Sequence, residues 1–172
     1  LALMAGMSVS EASIYGRRPE VRALDFFYRA GQWCDDGGHL EDFVDQEKQK
    51  GRILYGYGRP LAKTDERISY TLDKARELGL AGGRYLQMAL DVHQHLDEKY
   101  GYSMNVAAVH AGLAADMGLT CQEYQLFLPP CFVTGMAPCY QDTRDKPEGS
   151  FFPVRCESIV YGGPAKRKWL SD

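Results

Sequence analysis

The sequence has few of the side chains that would build a disulfide framework or a metal site. Its five cysteines are an odd number without a Cys-x-x-Cys pair, so we expect reduced thiols and a cytoplasmic protein. Of the four histidines, His93 and His95 are two residues apart and would diverge on a helix, whereas metal ligands on one helix need a spacing of three or four. We therefore expect neither a disulfide-stabilised domain nor a zinc site.

Long apolar runs and an excess of basic residues are also missing. The apolar stretch from Leu1 to Met7 is short and has no basic start, so we expect neither a signal peptide nor a membrane span. The net charge of −3 and the pI near 5.8 argue against a broad nucleic-acid footprint. Because the first residue is not methionine, we expect these residues to be part of a longer polypeptide.

What the sequence does contain is a succession of helical patterns. The 172 residues, 45% of them apolar, suffice for a real hydrophobic core. Apolar residues recur at helical spacing in several segments, and the only short strand candidates are 151–154 and 158–161. Pro19 suits the first turn of a helix, and Thr120 with Glu123 has capping-box spacing. The predicted helices begin near Val9 and cover about 19–32, 40–50, 68–78, 84–99, 105–117 and 131–141, with an interruption at Pro129-Pro130.

A glycine turn with nearby cations lies between residues 53 and 67. Gly56 and Gly58 flank Tyr57, which allows a tight turn and a close approach to a ligand. Lys63 and Arg67 are four residues apart, so a helix that started near Asp65 would let both face the turn. Exposed amides, a helix N-terminus and fixed positive charge suit a phosphate or a carboxylate. The same local pattern also describes an ordinary turn.

This segment resembles a signature of the citrate synthase family, Gly-Phe-Gly-His-Pro-x-x-Lys-x-Asp-Pro-Arg. Two later segments are similar to other family motifs. The first begins at Asn105-Val106-Ala107-Ala108 and ends at Asp116-Met117-Gly118-Leu119, like the family's Asn-Val-Asp-Gly helix and its closing Asp-Leu-Gly. The second is Tyr161-Gly162-Gly163-Pro164 with Lys166 and Arg167, like the family's Tyr-x-Gly-Pro-x-x-Arg tail. The resemblance covers roughly residues 40 to 172.

The resemblance implies an all-α, multi-helical fold and a set of binding residues. Residues 1–16 would end a large-domain segment, 17–118 would form the small helical domain, and 119–172 would return to the large domain and tail. A CoA thioester would be a substrate rather than a covalent cofactor, and would meet Tyr55, Gly56, Tyr57, Gly58 and Lys63. Arg67 would bind a substrate carboxylate. The resemblance further implies a homodimer in which a tail residue, here Arg155, reaches the neighbouring site.

The catalytic positions of the family pattern are changed. Its histidine after Gly-x-Gly is Arg59 here, and its aspartate two residues after the asparagine is Ala107. An arginine does not give up its proton, although it can bind a carboxylate or stabilise an oxyanion. His110 lies three residues after Ala107 and hence on nearly the same helix face, where it could act as a displaced base. The alternative is a histidine that packs beside Val106 and Val109.

Three hypotheses follow. The first is a diverged enzyme of the citrate synthase or citryl-CoA lyase type that uses Arg59, Arg67 and His110. The second is a non-catalytic relative that keeps the fold and CoA binding as a regulator or partner subunit. The third is a helical interaction domain whose likeness is only structural. Binding of CoA separates the first two from the third, and turnover of citryl-CoA or condensation of acetyl-CoA with an oxo acid separates the first from the second.

Overall fold

The computed structural model describes residues 1–10, 16–59, 64–147 and 162. Within these ranges the regular structure is helical, and the only β-type pairing is an isolated bridge between Tyr57 and Met104. The described helices are α1 (Ala2–Val9), α2 (Arg17–Asp35), α3 (Leu40–Gln49), α4 (Arg67–Glu77), α5 (Arg84–Tyr100), α6 (Val106–Asp116) and α7 (Cys121–Arg144). The predicted helices at 19–32, 40–50, 68–78, 84–99 and 105–117 are thus confirmed to within about three residues.

Helix α6 is the central element of the core. It packs mainly against α2 and α5 and also contacts α4. Its small side chains allow the neighbouring helices to approach closely. A Cβ on Gly112 would lie only 3.0 Å from the Leu86 backbone of α5. Asp116, at the end of α6, accepts the amides of Tyr85 (2.7 Å) and Leu86 (2.9 Å), so it caps the start of α5.

Helix α2 supplies the two largest fully buried side chains of the core. Leu24 and Phe27 are fully buried, and Phe26 packs against Phe43 of α3 with a ring-centroid distance of 5.5 Å. Pro19 lies in the first turn of α2, as predicted, where its missing amide proton removes no helical hydrogen bond. One buried apolar face therefore fixes α2 and α3 against the centre of the fold.

Helix α7 differs from the sequence-based prediction. Thr120 and Glu123 form the expected capping box, but the helix continues through Pro129, Pro130 and Pro138, so the predicted interruption is wrong. Proline at position 129 cannot donate to the carbonyl of Gln125. That carbonyl instead accepts Nη1 of Arg17 at 3.5 Å, which replaces the lost bond with one from α2.

Helix α1 packs against α7. Helix α1 ends at Val9, where the sequence predicted that a helix begins, and most of the residues of that predicted helix, 11–15, lie outside the described ranges. Both strand candidates, residues 151–154 and 158–161, lie outside the described residues. The domain division at 118/119 stays a prediction. Among the described helices, none is both long and apolar enough to cross a membrane.

Candidate functional site

The glycine turn lies against the start of α6 and is bonded to it. Gly58 donates its amide to the carbonyl of Ser103 (2.6 Å), and the carbonyl of Gly56 accepts the amide of Asn105 (2.8 Å). The side-chain amide of Asn105 donates to the carbonyl of Gly58 (3.0 Å). The φ angles of Gly56 and Gly58 are 93° and 86°, in the left-handed region that glycine tolerates. The turn therefore holds the residue that caps α6.

Tyr57, between the two glycines, points into the core. Its side chain is buried, and its hydroxyl donates to the carbonyl of Ala89 at 3.0 Å. Burial raises the pKa of Tyr57 well above its ordinary value, and Asp91 adds to the effect. Its amide donates to Leu54 (3.2 Å). The amides of Tyr57 and Gly58, which we expected to be exposed, are thus already bonded within the protein.

Asp65 occupies the N-terminus of α6. Its Oδ2 accepts the amide of Val106 (2.9 Å) and Nη2 of Arg67 (2.8 Å), while Oδ1 accepts Nε of Arg67 (2.8 Å). The hydrogen bonds from Arg67 hold the pKa of Asp65 well below its usual range and outweigh the opposing effect of burial. The carboxylate is fully buried, whereas the Arg67 side chain is 58% exposed. Arg67 is therefore fixed in place while its outer surface stays accessible.

Arg59 folds over the segment that leads to α4. Its Nη1 donates to the carbonyl of Thr64 (2.5 Å) and to Oε2 of Glu66 (3.0 Å), and it lies 3.9 Å from Oδ1 of Asp65. The Arg59 side chain is only 23% exposed, whereas that of Glu66 is 77% exposed. The positive charge of Arg59 is thus balanced by two acidic side chains of the same loop, the buried Asp65 and the exposed Glu66.

A buried glutamate connects α2, α6 and α7 beside this loop. Oε2 of Glu20 accepts the hydroxyl of Tyr124 (2.8 Å), and Oε1 lies 3.3 Å from Nδ1 of His110. The Glu20 side chain is 10% exposed and that of His110 is 41% exposed. Glu20 also contributes to the raised pKa of Arg67, after the larger effect of the hydrogen bonds with Asp65. The imidazole, the glutamate and the arginine therefore lie within electrostatic range of one another.

Ala107 contributes only backbone hydrogen bonding to the start of α6, because its methyl side chain has no polar group. Its amide donates to Oδ1 of Asn105 (3.0 Å), which completes the N-terminal cap of α6. His110 lies one helical turn further along. Arg67, which belongs to α4, is thus held through Asp65 at the N-terminus of α6, and His110 follows in the second turn of that helix.

A cavity lined by three arginines lies beside the segment that leads into the glycine turn. It has a volume of about 410 Å³ and is lined by α2 and residues 52–55. Arg22 donates to the hydroxyl of Tyr55 (2.5 Å), and its guanidinium carbon lies 5.1 Å from the ring centroid. The other two arginines of the cavity, Arg29 and Arg52, both bind the buried carboxylate of Glu47. Within the described ranges Arg22 forms no ion pair of its own.

Several predicted site residues lie outside the described residues. These are Lys63 and Arg155, together with Pro60 and, from the tail motif, Tyr161, Gly163, Pro164, Lys166 and Arg167. Sequence reasoning missed Glu20 and Tyr124. An acidic residue in a first helical turn is usually explained by the helix dipole, and Tyr124 carries no local signal. Within the described ranges, no cluster of three or more histidine, cysteine, aspartate or glutamate side chains could hold a metal ion.

Comparison with known proteins shows the fold. No protein-family model matches the chain, and no curated protein sequence does. Among solved structures, the chain is similar to the citryl-CoA lyase of Hydrogenobacter thermophilus, with a TM-score of 0.66 and 22% sequence identity. The match covers 97% of this chain and 66% of that chain. The predicted all-α, citrate synthase-like fold is confirmed, while membership as a diverged family member stays a prediction.

Proposed function

We propose that this chain binds an acyl-CoA and a di- or tricarboxylate and performs citrate synthase-type carbon–carbon bond chemistry, with citryl-CoA cleavage as the first reaction to test. The observation that carries the proposal is that an exposed Arg67 is anchored through Asp65 at the N-terminus of α6, and that the second turn of the same helix carries a half-exposed His110. These elements belong to a fold shared with a citryl-CoA lyase. The chain spans 66% of that lyase, and the reaction is carried over to it only as this proposal.

Arg67 is the proposed ligand of a substrate carboxylate. The bidentate pair with Asp65 leaves more than half of the Arg67 side chain exposed. A planar guanidinium can engage a second carboxylate while it keeps the first. Arg155 is proposed as a further carboxylate ligand from the partner subunit. The buried Asp65 then keeps the guanidinium of Arg67 in one position, whether or not a substrate is bound.

Tyr55 and Arg22 are the proposed contacts of the CoA nucleotide. Their cavity opens beside the glycine loop, and Arg22 forms no ion pair within the part of the chain that the structure describes. Its guanidinium is therefore available to a phosphate. Lys63 would add a second cation, while Gly56, Tyr57 and Gly58 would contribute the backbone shape of the loop.

His110 is the proposed base. In cleavage, the imidazole takes the hydroxyl proton of citryl-CoA, the carbon–oxygen bond becomes the ketone of an oxo acid, and the carbon–carbon bond breaks. The electron pair of that bond moves to the thioester enolate, whose charge Arg59 would stabilise. The imidazolium then returns the proton to the enolate carbon, which gives acetyl-CoA. Atoms and charge balance without an oxidant or a metal.

Binding and turnover are measured separately. Calorimetry with CoA is expected to show saturable binding that weakens about tenfold in Arg22→Gln, because a charge-assisted hydrogen bond is lost. Arg144→Gln, at the distant end of α7, is the matched control.

Oxaloacetate released from citryl-CoA is followed by coupled NADH oxidation with malate dehydrogenase, and Arg67→Gln is expected to raise KM for citryl-CoA. Absence of both binding and turnover in the full-length protein would leave only a helical interaction domain.

A non-catalytic, CoA-binding relative is the second candidate function. The observation that favours it is the loss of the two catalytic side chains of the family pattern, since Ala107 has no functional group and Arg59 is paired with Glu66. Loss of a positioned general acid or base typically costs 10²- to 10⁴-fold in rate. Saturable CoA binding without turnover of citryl-CoA, and without condensation of acetyl-CoA with an oxo acid, would support this candidate against the enzyme.

We also propose that the protein is a homodimer. Helix α7 exposes large apolar side chains, among them Leu126, Phe127 and Val133, and such surface is commonly covered by a partner. Light scattering coupled to size-exclusion chromatography of the full-length protein tests this, and a stable monomer would contradict it.

A further inference from the structure

The histidine proposed as the base is one member of a three-residue chain of contacts. Tyr124 donates its hydroxyl to Oε2 of Glu20 (2.8 Å), and Oε1 of the same carboxylate lies 3.3 Å from Nδ1 of His110. The three residues come from α7, α2 and α6. Neither the fold match nor the sequence resemblance assigns Glu20 or Tyr124 a role. Their contacts therefore call for a physical explanation.

Burial makes the direction of these hydrogen bonds clear. Tyr124 is 2% exposed, and burial, followed by the nearby Glu20, raises the pKa of its hydroxyl. The hydroxyl stays protonated and must donate. A buried carboxylate is costly unless its oxygens are paired, and Tyr124 pairs only one of them. The second oxygen is left for the proton of the imidazole.

We infer that Glu20 is a positioning residue for His110 and that Tyr124 holds Glu20 in place. An ionised carboxylate only accepts hydrogen bonds, so it selects the tautomer in which Nδ1 carries the proton and Nε2 is the free acceptor. No hydrogen bond of Nε2 is found within the described parts of the chain. This inference rests on the proposed function, because Nε2 is the atom that would take the hydroxyl proton of citryl-CoA.

The carboxylate also stabilises the imidazolium that forms when the proton is taken. Three charged or titratable groups are connected to this contact in the described residues: Glu20 on α2, Tyr124 on α7, which donates to Glu20, and Arg67 on α4, whose pKa Glu20 helps to raise. Of these, only Glu20 contacts the ring directly. A second pair in the same chain, His95 with Asp45 at 2.9 Å, has similar chemistry between α3 and α5 and shares no residue with the first. It supplies a matched control.

The first test combines kinetics with these variants in the full-length protein. Glu20→Gln keeps the shape and removes the charge, so kcat for citryl-CoA is expected to fall about 10- to 100-fold with little change in KM. The acid limb of the kcat profile should move to lower pH, because the imidazolium loses its partner. His110→Gln should abolish that limb, whereas His95→Gln should leave kcat and the profile unchanged. An equal loss in His95→Gln and Glu20→Gln would overturn the inference.

The second test does not need turnover, so it separates this inference from the proposed function. Nitrogen-15 spectra of the His110 ring should show a protonated Nδ1 in the unsubstituted protein, and Glu20→Gln should shift the ring toward the tautomer with a protonated Nε2, because the carboxylate acceptor is gone. Tyr124→Phe should shift the tautomer in the same direction but less, because Glu20 is no longer held in place. An inactive protein that shows these changes would refute the lyase proposal alone. A ring with the same tautomer in all three proteins would refute the positioning role.

Discussion

Two glycines with the same backbone conformation provide a sharp test of how the turn is packed. Gly56 and Gly58 have φ of 93° and 86°, so alanine at either position must adopt a left-handed conformation. A Cβ on Gly56 would lie 2.8 Å from Cβ and 3.0 Å from the backbone nitrogen of Ala108. A Cβ on Gly58 would meet nothing within 4 Å. Gly58→Ala is therefore the control that carries the backbone strain without the steric conflict.

The expected magnitudes follow from these two terms. The left-handed conformation costs an L-residue about 1–2 kcal/mol, which is the whole expected effect of Gly58→Ala. Gly56→Ala adds the overpacking of a Cβ against the backbone of α6, which typically costs about 1–3 kcal/mol more. Its total is then about 2–5 kcal/mol. For a protein of this size each kcal/mol lowers Tm by about 2–4 °C.

The assay is thermal and urea unfolding followed by circular dichroism. Ala108→Gly should restore part of the stability of Gly56→Ala, because it removes the closest atom, with a coupling of about 1 kcal/mol. The same change should be additive with Gly58→Ala. If both single variants lose the same stability, or if Ala108→Gly couples equally to both, the close contact between the turn and α6 does not exist and the reasoning is refuted.

Three further predictions concern carboxylates that the structure places between elements. Asp65→Asn should lower the free energy of unfolding at neutral pH and make it fall less as the solution is acidified. The reason is that the pKa of Asp65 is lower in the folded than in the unfolded state, so the ionised carboxylate stabilises the fold above its unfolded-state pKa and this contribution is lost as pH falls. An unchanged acid unfolding curve would contradict the pairing with Arg67. Burial alone would raise the pKa of Asp45, but its hydrogen bonds outweigh this effect and lower the pKa from 3.8 to about 2. Asp45→Asn should therefore lower the free energy of unfolding by about 1–2 kcal/mol near neutral pH, and the loss of stability that this carboxylate causes between about pH 4 and 2 should disappear. Urea unfolding at several pH values measures both effects. Asp116→Ala leaves two amides of α5 without their acceptor and should cost about 2 kcal/mol in urea unfolding, whereas no loss would mean that water replaces the cap.

The helical fold could be predicted from sequence to a large extent because its signals are local. Periodic apolar residues predicted the bounds of α3, α5 and α6 closely, since each pattern lies within the segment it describes. The capping box of Thr120 was also predicted correctly. The same local reasoning failed at Pro129, because the donor that replaces the missing bond, Arg17, comes from a distant part of the chain.

The candidate site was predicted only in part, for the same reason. The sequence by itself determined which chemical groups are present: the glycine turn, Arg67 and His110, with an alanine and an arginine where the resemblance implies an acid and a base. Only the tertiary structure decided how they are used. It buried Tyr57, paired Arg67 with Asp65 and placed Glu20 beside His110. Glu20 and His110 are 90 residues apart in sequence, and their contact depends on how α2 packs against α6, which no local pattern encodes.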